Sequence, residues 1–194
     1  MINSIRFVSQ LVTEPGYVEN MTPQQRADAF ILFFKTFGDF AGVLKLGDIF
    51  SYARSREALM ALTLGHTLAP KLAGPDATRP DGIEAEYKTT IQKRIAALYS
   101  GLSNKATWAE QLAYLKNEKI GCYPFHYIAR FEGSEIAEIW ELSADCVLEV
   151  LTKKLHKTYH DPKHRADPRL SATLCMTEIK QHGIQVYPLR RQNR

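Results

Sequence analysis

Four acidic side chains and a lysine lie close together in "GPDATRPDGIEAEYK", residues 74–88. Carboxylate oxygens are the hard ligands that Mg²⁺ takes, alongside waters and the phosphate oxygens of a substrate. A lysine beside such a metal could orient a water molecule or stabilise the charge that develops on a phosphate. These residue types therefore suggest Mg²⁺-dependent hydrolysis of a phosphodiester. The structural alternative is a solvated hairpin whose charges have no catalytic role.

Turn geometry distinguishes the two aspartates of this stretch. The segment 80–82, Pro-Asp-Gly, is typical of a chain reversal. With the reversal centred on Asp81, residues whose numbers sum to about 162 face each other, which places Asp76 opposite Glu86. Asp81 lies at the tip, about 16 Å from Glu86 along an extended strand. Asp76 is thus the better partner for Glu86, and Asp81 belongs to the turn.

Strand alternation adds the lysine to this pair. Side chains two residues apart lie on one face of a strand, so Glu84, Glu86 and Lys88 share a face. Asp76, Glu86 and Lys88 are therefore the predicted catalytic set, with Asp76 and Glu86 as the metal ligands. Glu84 is a candidate for a supporting role behind them.

The elements around this hairpin suggest a mixed α/β or α+β fold, a central β-sheet flanked by helices. Thr22 and Pro23 predict a helix over 23–36, and the apolar pattern of 47–65 predicts a second one that ends at Gly65. Further elements are a strand over 83–91, a helix over 108–118, two strands within 124–142 that turn at 132–134, a helix from Ser143 to about 158, and a final strand, helical turn and strand ending at Tyr187. We expect one domain, residues 1–194, helical over 1–66 and with its core over 67–194.

Composition is ordinary for a soluble protein of 194 residues, with 45% hydrophobic and 24% charged residues. No apolar run approaches the roughly 20 residues of a membrane helix, and the N-terminus lacks a signal-peptide pattern. The cysteines Cys122, Cys146 and Cys175 are far apart and lack ligand spacing. We therefore predict a cytoplasmic protein that has no membrane segment, disulfide framework or zinc site.

Positive charge is concentrated near the C-terminus. From Lys153 onward there are ten Lys/Arg and three Asp/Glu, a balance of +7, so residues 1–152 sum to −3 within the total of +4. Such a distribution favours an anionic partner, usually nucleic acid. A solvated basic tail is the alternative.

The hairpin also resembles a known motif. Pro75-Asp76 followed by Glu86-Tyr87-Lys88 resembles the PD-(D/E)xK motif of type II restriction endonucleases, with PvuII-like enzymes the most similar. The segments "GDIF" at 47–50 and "LTLG" at 62–65 are similar to the family and occur in its order. The strand pair within 124–142 and the closing segment 165–187 are similar as well.

The resemblance implies a restriction-endonuclease-like sheet in which Asp76 and Glu86 bind the metal and Lys88 is the catalytic lysine. It also implies a homodimer that cuts both strands of a twofold-symmetric site in double-stranded DNA. The helices of 23–64 would form the dimer contact. Base reading would come from 98–107, a polar loop, and from 160–169, a basic one.

Five residues of these two segments have the donor and acceptor groups that base reading needs. They are Asn104, Lys105, His164, Arg165 and Asp167. The two segments also differ from the family, because a histidine cluster after Lys88 is missing and Asp167-Pro168 replaces an Asn-Pro. The resemblance therefore implies no particular target sequence.

The sequence leads to one hypothesis with two rivals. The first is a Mg²⁺-dependent type II restriction endonuclease that cuts double-stranded DNA at a short, palindromic site. The second is a structure-specific nuclease of DNA repair or recombination with the same catalytic set. The third is a non-catalytic DNA-binding protein in which the acidic hairpin is only structural.

Overall fold

The computed structural model describes residues 14, 16–46, 48–50, 53–70, 74–161 and 169–188. By its internal contacts the chain divides into two compact units, Met1–Ser51 and Tyr52–Arg194. The helices are α1 (Pro23–Val43), α2 (Arg54–Leu64), α3 (Trp108–Tyr114, continued by a π-helical turn Leu115–Lys119), α4 (Ala144–Tyr159) and α5 (Met176–His182). The strands are β1 (Thr67–Leu68), β2 (Ala77–Thr78), β3 (Glu84–Thr90), β4 (Ala97–Ser103), β5 (Phe125–Glu132), β6 (Glu135–Ser143), β7 (Arg169–Leu174) and β8 (Ile184–Tyr187).

The first unit contains α1, whose start is the predicted one. Thr22 accepts a hydrogen bond from the Gln25 backbone N–H, and the Gln25 side chain accepts one from the Thr22 N–H, which is a capping box. The helix continues past the predicted end at residue 36 to Val43. Apolar residues continue at helical spacing beyond residue 36, and this pattern supports the longer helix.

The second unit is built on a six-stranded sheet of order β1-β2-β3-β5-β6-β8. β3 and β5 are parallel, whereas the other neighbours in the sheet are antiparallel. The sheet is mixed and has helices packed beside it. The predicted class, a mixed α/β or α+β fold with a central sheet flanked by helices, is therefore confirmed. The strand pair β5–β6 with its turn at Gly133-Ser134, the N-cap at Ser143 and the closing strand–helix–strand segment all agree with prediction.

Helix α2 begins later than its apolar pattern predicts. It starts at Arg54, and Gly65 ends it in the left-handed conformation, with φ 69°. Residues 48–50 are not helical: the Asp48 side chain accepts a hydrogen bond from the Phe50 N–H at 3.1 Å. Such a bond from a side chain to the backbone two residues on stabilises a turn in competition with the helix.

Strand β4 corrects the prediction of a polar loop over 98–107. It pairs with β7 in a separate two-stranded sheet, in which Leu102 faces Leu170 and Ser103 faces Arg169. Ser and Gly are poor β-formers, so this segment has little strand signal of its own. Its partner lies about seventy residues further along the chain, and that pairing is a tertiary contact that periodicity does not reveal. We call β4 and β7 together the β4–β7 ribbon.

The core of the second unit lies between the main sheet, the β4–β7 ribbon and helix α4. Apolar residues at one face of α4, including Leu151 and Leu155, are fully buried in this cluster. The inner side chains of β4 and β7 pack into the same cluster, and their outer side chains are exposed. Among the described residues, no helix has the length and apolar character needed to cross a bilayer.

Candidate active site

The β2–β3 hairpin has the register that the turn geometry predicts. Ala77 pairs with Ala85 and Thr78 with Glu84, and both pairs satisfy the expected sum. One residue further along, the Asp76 N–H donates to the Ala85 carbonyl at 3.1 Å. Asp76 therefore lies beside the strand segment that carries Glu86.

Asp81 has the turn role that its position suggests. Its carboxylate accepts a hydrogen bond from the Ile83 N–H at 3.2 Å and forms an ion pair with Arg79 at 3.1 Å. The side chain is 46% exposed. These contacts stabilise the chain reversal. Because the Asp81 carboxylate is engaged in the turn, Asp76 is the better candidate for a metal ligand.

Asp76, Glu86 and Lys88 come together at the start of β3. The Asp76 carboxylate accepts a hydrogen bond from the Tyr87 N–H at 2.7 Å and lies next to the Glu86 carboxyl group. Glu86 also forms an ion pair with Lys88 on the same face of the strand. The side chains of Glu86 and Lys88 are only 17% and 24% exposed.

Burial raises the pKa values of both carboxyl groups, and at Glu86 the negative charge of Asp76 adds to the increase. For Glu86 burial is the larger cause, the Asp76 charge adds to it, and Lys88 opposes it, so that the pKa rises to about 6. Burial also raises the pKa of Asp76, against the Tyr87 N–H and the charges of Lys88 and Arg54. Two adjacent acids with raised pKa values share a proton readily, and a bound cation would take the place of that proton.

Glu57 is a third carboxylate in this neighbourhood, and the sequence reasoning missed it. It lies on α2 and pairs with the buried Arg54 at 3.5 Å. Burial and the Asp76 charge raise its pKa, and the Glu57 charge in turn raises that of Glu86. No spacing rule connects α2 with the hairpin, so only the packing of α2 beside β3 reveals this residue.

Glu84 is exposed at the first position of β3, opposite Thr78 in β2. Its charge acts on Tyr123, where burial is the main cause of a pKa raised to about 12. The charges of Glu86 and Asp76 act on the same phenol. Tyr123 therefore lies beside the acidic cluster, and Glu84 lies at its exposed side.

The pair of carboxylates fits a magnesium ion better than a softer metal. Asp76 and Glu86 supply oxygen donors in a half-buried position, and their mutual repulsion would be relieved by a cation. Within the described ranges, no three or more His, Cys, Asp and Glu side chains form a group suited to a metal ion. Mg²⁺ commonly needs only one or two carboxylates, because waters and substrate phosphates complete its shell.

The predicted DNA contacts are divided between described and undescribed residues. Asn104 is exposed immediately after β4. Lys105 is held by its backbone, since its N–H donates to Gln111 at 2.9 Å and its carbonyl accepts from the Tyr159 hydroxyl at 3.0 Å. His164, Arg165 and Asp167 lie outside the described residues. The segment that contains them leads into β7, which begins next to the end of β4.

No protein-family model matches the chain, and no curated protein is significantly similar to it.

The contact between Asp76 and Glu86 can be tested without a substrate, because it predicts how substitutions change the pKa of Glu86. Asp76→Asn should lower this pKa from about 6, because it removes a neighbouring negative charge, whereas Lys88→Met should raise it. Carboxyl ¹³C shifts of labelled glutamate, followed by NMR during a pH titration without divalent cations, would measure both changes. Asp81→Asn is the matched control and should leave the pKa unchanged. An unchanged value in Asp76→Asn would show that the two carboxylates do not interact.

Proposed function

We propose that this protein is a Mg²⁺-dependent type II restriction endonuclease that hydrolyses phosphodiester bonds in double-stranded DNA at a short, palindromic site. The observation that carries the proposal is the convergence of Asp76, Glu86 and Lys88 on one face of a hairpin. The PD-(D/E)xK pattern of the sequence supports it, because the same three residues occupy the motif positions.

Each residue of the set has a distinct part in the proposed reaction. Asp76 and Glu86 would hold a magnesium ion, and the hydrogen bond from the Tyr87 N–H fixes the orientation of the Asp76 carboxylate. When bound, the ion polarises the phosphate and lowers the pKa of a coordinated water. Lys88, placed by its ion pair with Glu86, orients the attacking water or stabilises negative charge on the pentavalent phosphorus.

The β4–β7 ribbon supports double-stranded DNA as the substrate. A two-stranded ribbon has the width that the major groove admits. Its outer face carries one exposed leucine, Leu98, together with short polar side chains and one arginine: Ser100, Ser103, Ser171, Thr173 and Arg169. Strand pairing places Ser103, from the first segment proposed for base reading, opposite Arg169, the last residue of the second. Hydroxyl groups can read base edges as donors or acceptors, and arginine contacts guanine or phosphate.

Helix α1 supports the proposed homodimer. This helix exposes large apolar side chains, with Phe30 69%, Phe40 62% and Val43 80% accessible. Phe33, Phe34 and Phe37 extend this apolar surface. Monomeric soluble proteins rarely expose a contiguous surface of this kind. A second copy of the chain would cover it and would supply the second catalytic site that a palindromic target requires.

The catalytic proposal predicts separate effects on cutting and on binding. Glu86→Gln and Lys88→Ala should each lower the cleavage rate by at least about a hundredfold, because charge stabilisation at the phosphate is lost. Cleavage of phage and plasmid DNA with Mg²⁺ would measure this, and filter binding with Ca²⁺ should show nearly unchanged affinity. Asp81→Asn, in the turn, is the control that should cut normally.

The products distinguish the proposed function from its two rivals. Discrete fragments with identical ends support a restriction endonuclease. Cutting confined to branched or flapped DNA regardless of sequence would instead indicate a structure-specific nuclease. DNA binding without any cleavage would indicate a non-catalytic DNA-binding protein.

The ribbon proposal predicts a loss of DNA affinity in Arg169→Ala. If this residue contacts a phosphate, removal of its charge should weaken binding of all sequences and reduce the slope of log affinity against log salt by about 1. Fluorescence anisotropy over a range of salt concentrations would measure it. Lys153→Ala, which removes an ion-paired lysine on α4, is the matched control. Equal salt slopes in the two variants would exclude a phosphate contact at Arg169.

The dimer proposal predicts a change of mass when α1 loses its aromatic face. The wild-type chain of 22.0 kDa should sediment as a dimer. The double variant Phe30→Ser, Phe40→Ser should sediment as a monomer, because the apolar area that stabilises the dimer is lost. Ile184→Ser, which alters an equally exposed residue on β8, should remain dimeric. A monomeric wild type at the concentrations used for cleavage would contradict the proposal.

A further inference from the structure

Two buried polar side chains, His126 and Tyr99, lie behind the candidate site. His126 is on β5, level with Glu86 in the parallel β3–β5 register, and is 0% exposed. Tyr99 is on the inner face of β4 and is 4% exposed. Burying two polar side chains to this degree destabilises the fold unless their hydrogen bonds are satisfied. The hydrogen-bond partners of His126 and Tyr99 therefore need to be identified.

The hydrogen bonds of this pair determine its protonation. His126 Nε2 lies 3.0 Å from the Ile120 carbonyl oxygen, which can only accept, so Nε2 carries the hydrogen. Burial lowers the pKa of His126 to about 4, so the ring is neutral and Nδ1 is an acceptor. The Tyr99 hydroxyl, 2.9 Å away, therefore donates to Nδ1. Every polar atom of the pair has a partner, and the Tyr99 ring is fixed from behind.

The Tyr99 ring in turn faces the ammonium group of Lys88. Lys88 Nζ lies 5.3 Å from the ring centroid, within the range of a cation–π interaction. Glu86 contacts the same ammonium through an ion pair. Lysine has a long, flexible side chain that loses entropy when it is held in one position. A ring on one side and a carboxylate on another restrict this group to a narrow region beside the metal ligands.

We propose that Tyr99, held by His126, is the positioning residue for the Lys88 ammonium group. This inference rests on the proposed nuclease function. It also connects two parts of the protein, because Tyr99 belongs to β4 and its neighbours in that strand form the outer face of the β4–β7 ribbon.

Variants of the pair separate positioning from packing. Tyr99→Leu should lower the single-turnover cleavage rate about tenfold, because the cation–π contact is lost, with DNA affinity in Ca²⁺ unchanged within about twofold. Tyr99→Phe keeps the ring and should retain more of the rate. His126→Leu should resemble Tyr99→Leu, whereas His126→Gln, which can both donate and accept, should restore much of the rate. Leu151→Ala in the same core is the matched control, and its bound complex should cut at the wild-type rate.

A second measurement needs no activity. The Tyr99 ring current should shift the ε-methylene protons of Lys88 upfield in NMR spectra of protein with ¹³C-labelled lysine, and Lys88→Arg assigns the signal. The shift should disappear in Tyr99→Leu and persist in Tyr99→Phe and Leu151→Ala.

The outcomes distinguish this inference from the function on which it rests. If Lys88→Ala abolishes cleavage but Tyr99→Leu cuts at the wild-type rate, the positioning role is wrong and the nuclease function stands. An absent ring-current shift in the wild type also overturns the positioning role. If the wild type cuts no DNA at all, both proposals fail, even if the shift is present.

Discussion

Two partly buried carboxylates side by side are costly unless positive charge or hydrogen-bond donors face them. Asp76 and Glu86 meet this constraint with Lys88, the Tyr87 N–H and the more distant charge of Arg54. The compensation is incomplete, since burial still raises both pKa values and the charge of Asp76 adds to the increase at Glu86. A protein that only needed a stable hairpin would gain by replacing one of these acids with a neutral residue. Under the proposed function, a bound cation would stabilise the charged form of both acids.

The two faces of β3 have different roles: one carries the charged residues of the site, and the other holds the strand in place through hydrogen bonds. One face carries Glu86 and Lys88, and the other carries Tyr87, whose hydroxyl bonds to His66 Nδ1 at 2.8 Å. On that second face a polar network ties the hairpin to the neighbouring strands. Arg79 donates to the Tyr127 hydroxyl at 3.1 Å, and that hydroxyl donates to Glu141 at 2.5 Å. Hydrogen bonds on the opposite face of β3 therefore hold the strand in place. This fixes the position of Glu86 beside Asp76 although the two negative charges repel each other.

Under the proposed function, the strand that would contact DNA also carries a side chain beside the catalytic lysine. β4 has Leu98, Ser100 and Ser103 on the outer face of the β4–β7 ribbon, while the ring of its inward Tyr99 faces the Lys88 ammonium group. The hydrogen bond from Tyr99 to His126 keeps the inner contact in place without an unpaired buried group.

Local rules explain what the sequence by itself determined. The turn residues set the reversal at Asp81, strand alternation placed Glu86 and Lys88 on one face, and capping patterns located the starts of α1, α3 and α4. Each of these rules acts over a few residues, so one sequence suffices. Glu57 and the β4–β7 ribbon were decided only by the tertiary structure, as was the Tyr99–His126 pair. They depend on contacts between segments that lie far apart in the chain, where no fixed spacing relates the partners, and the packing of the whole unit decides which of them meet.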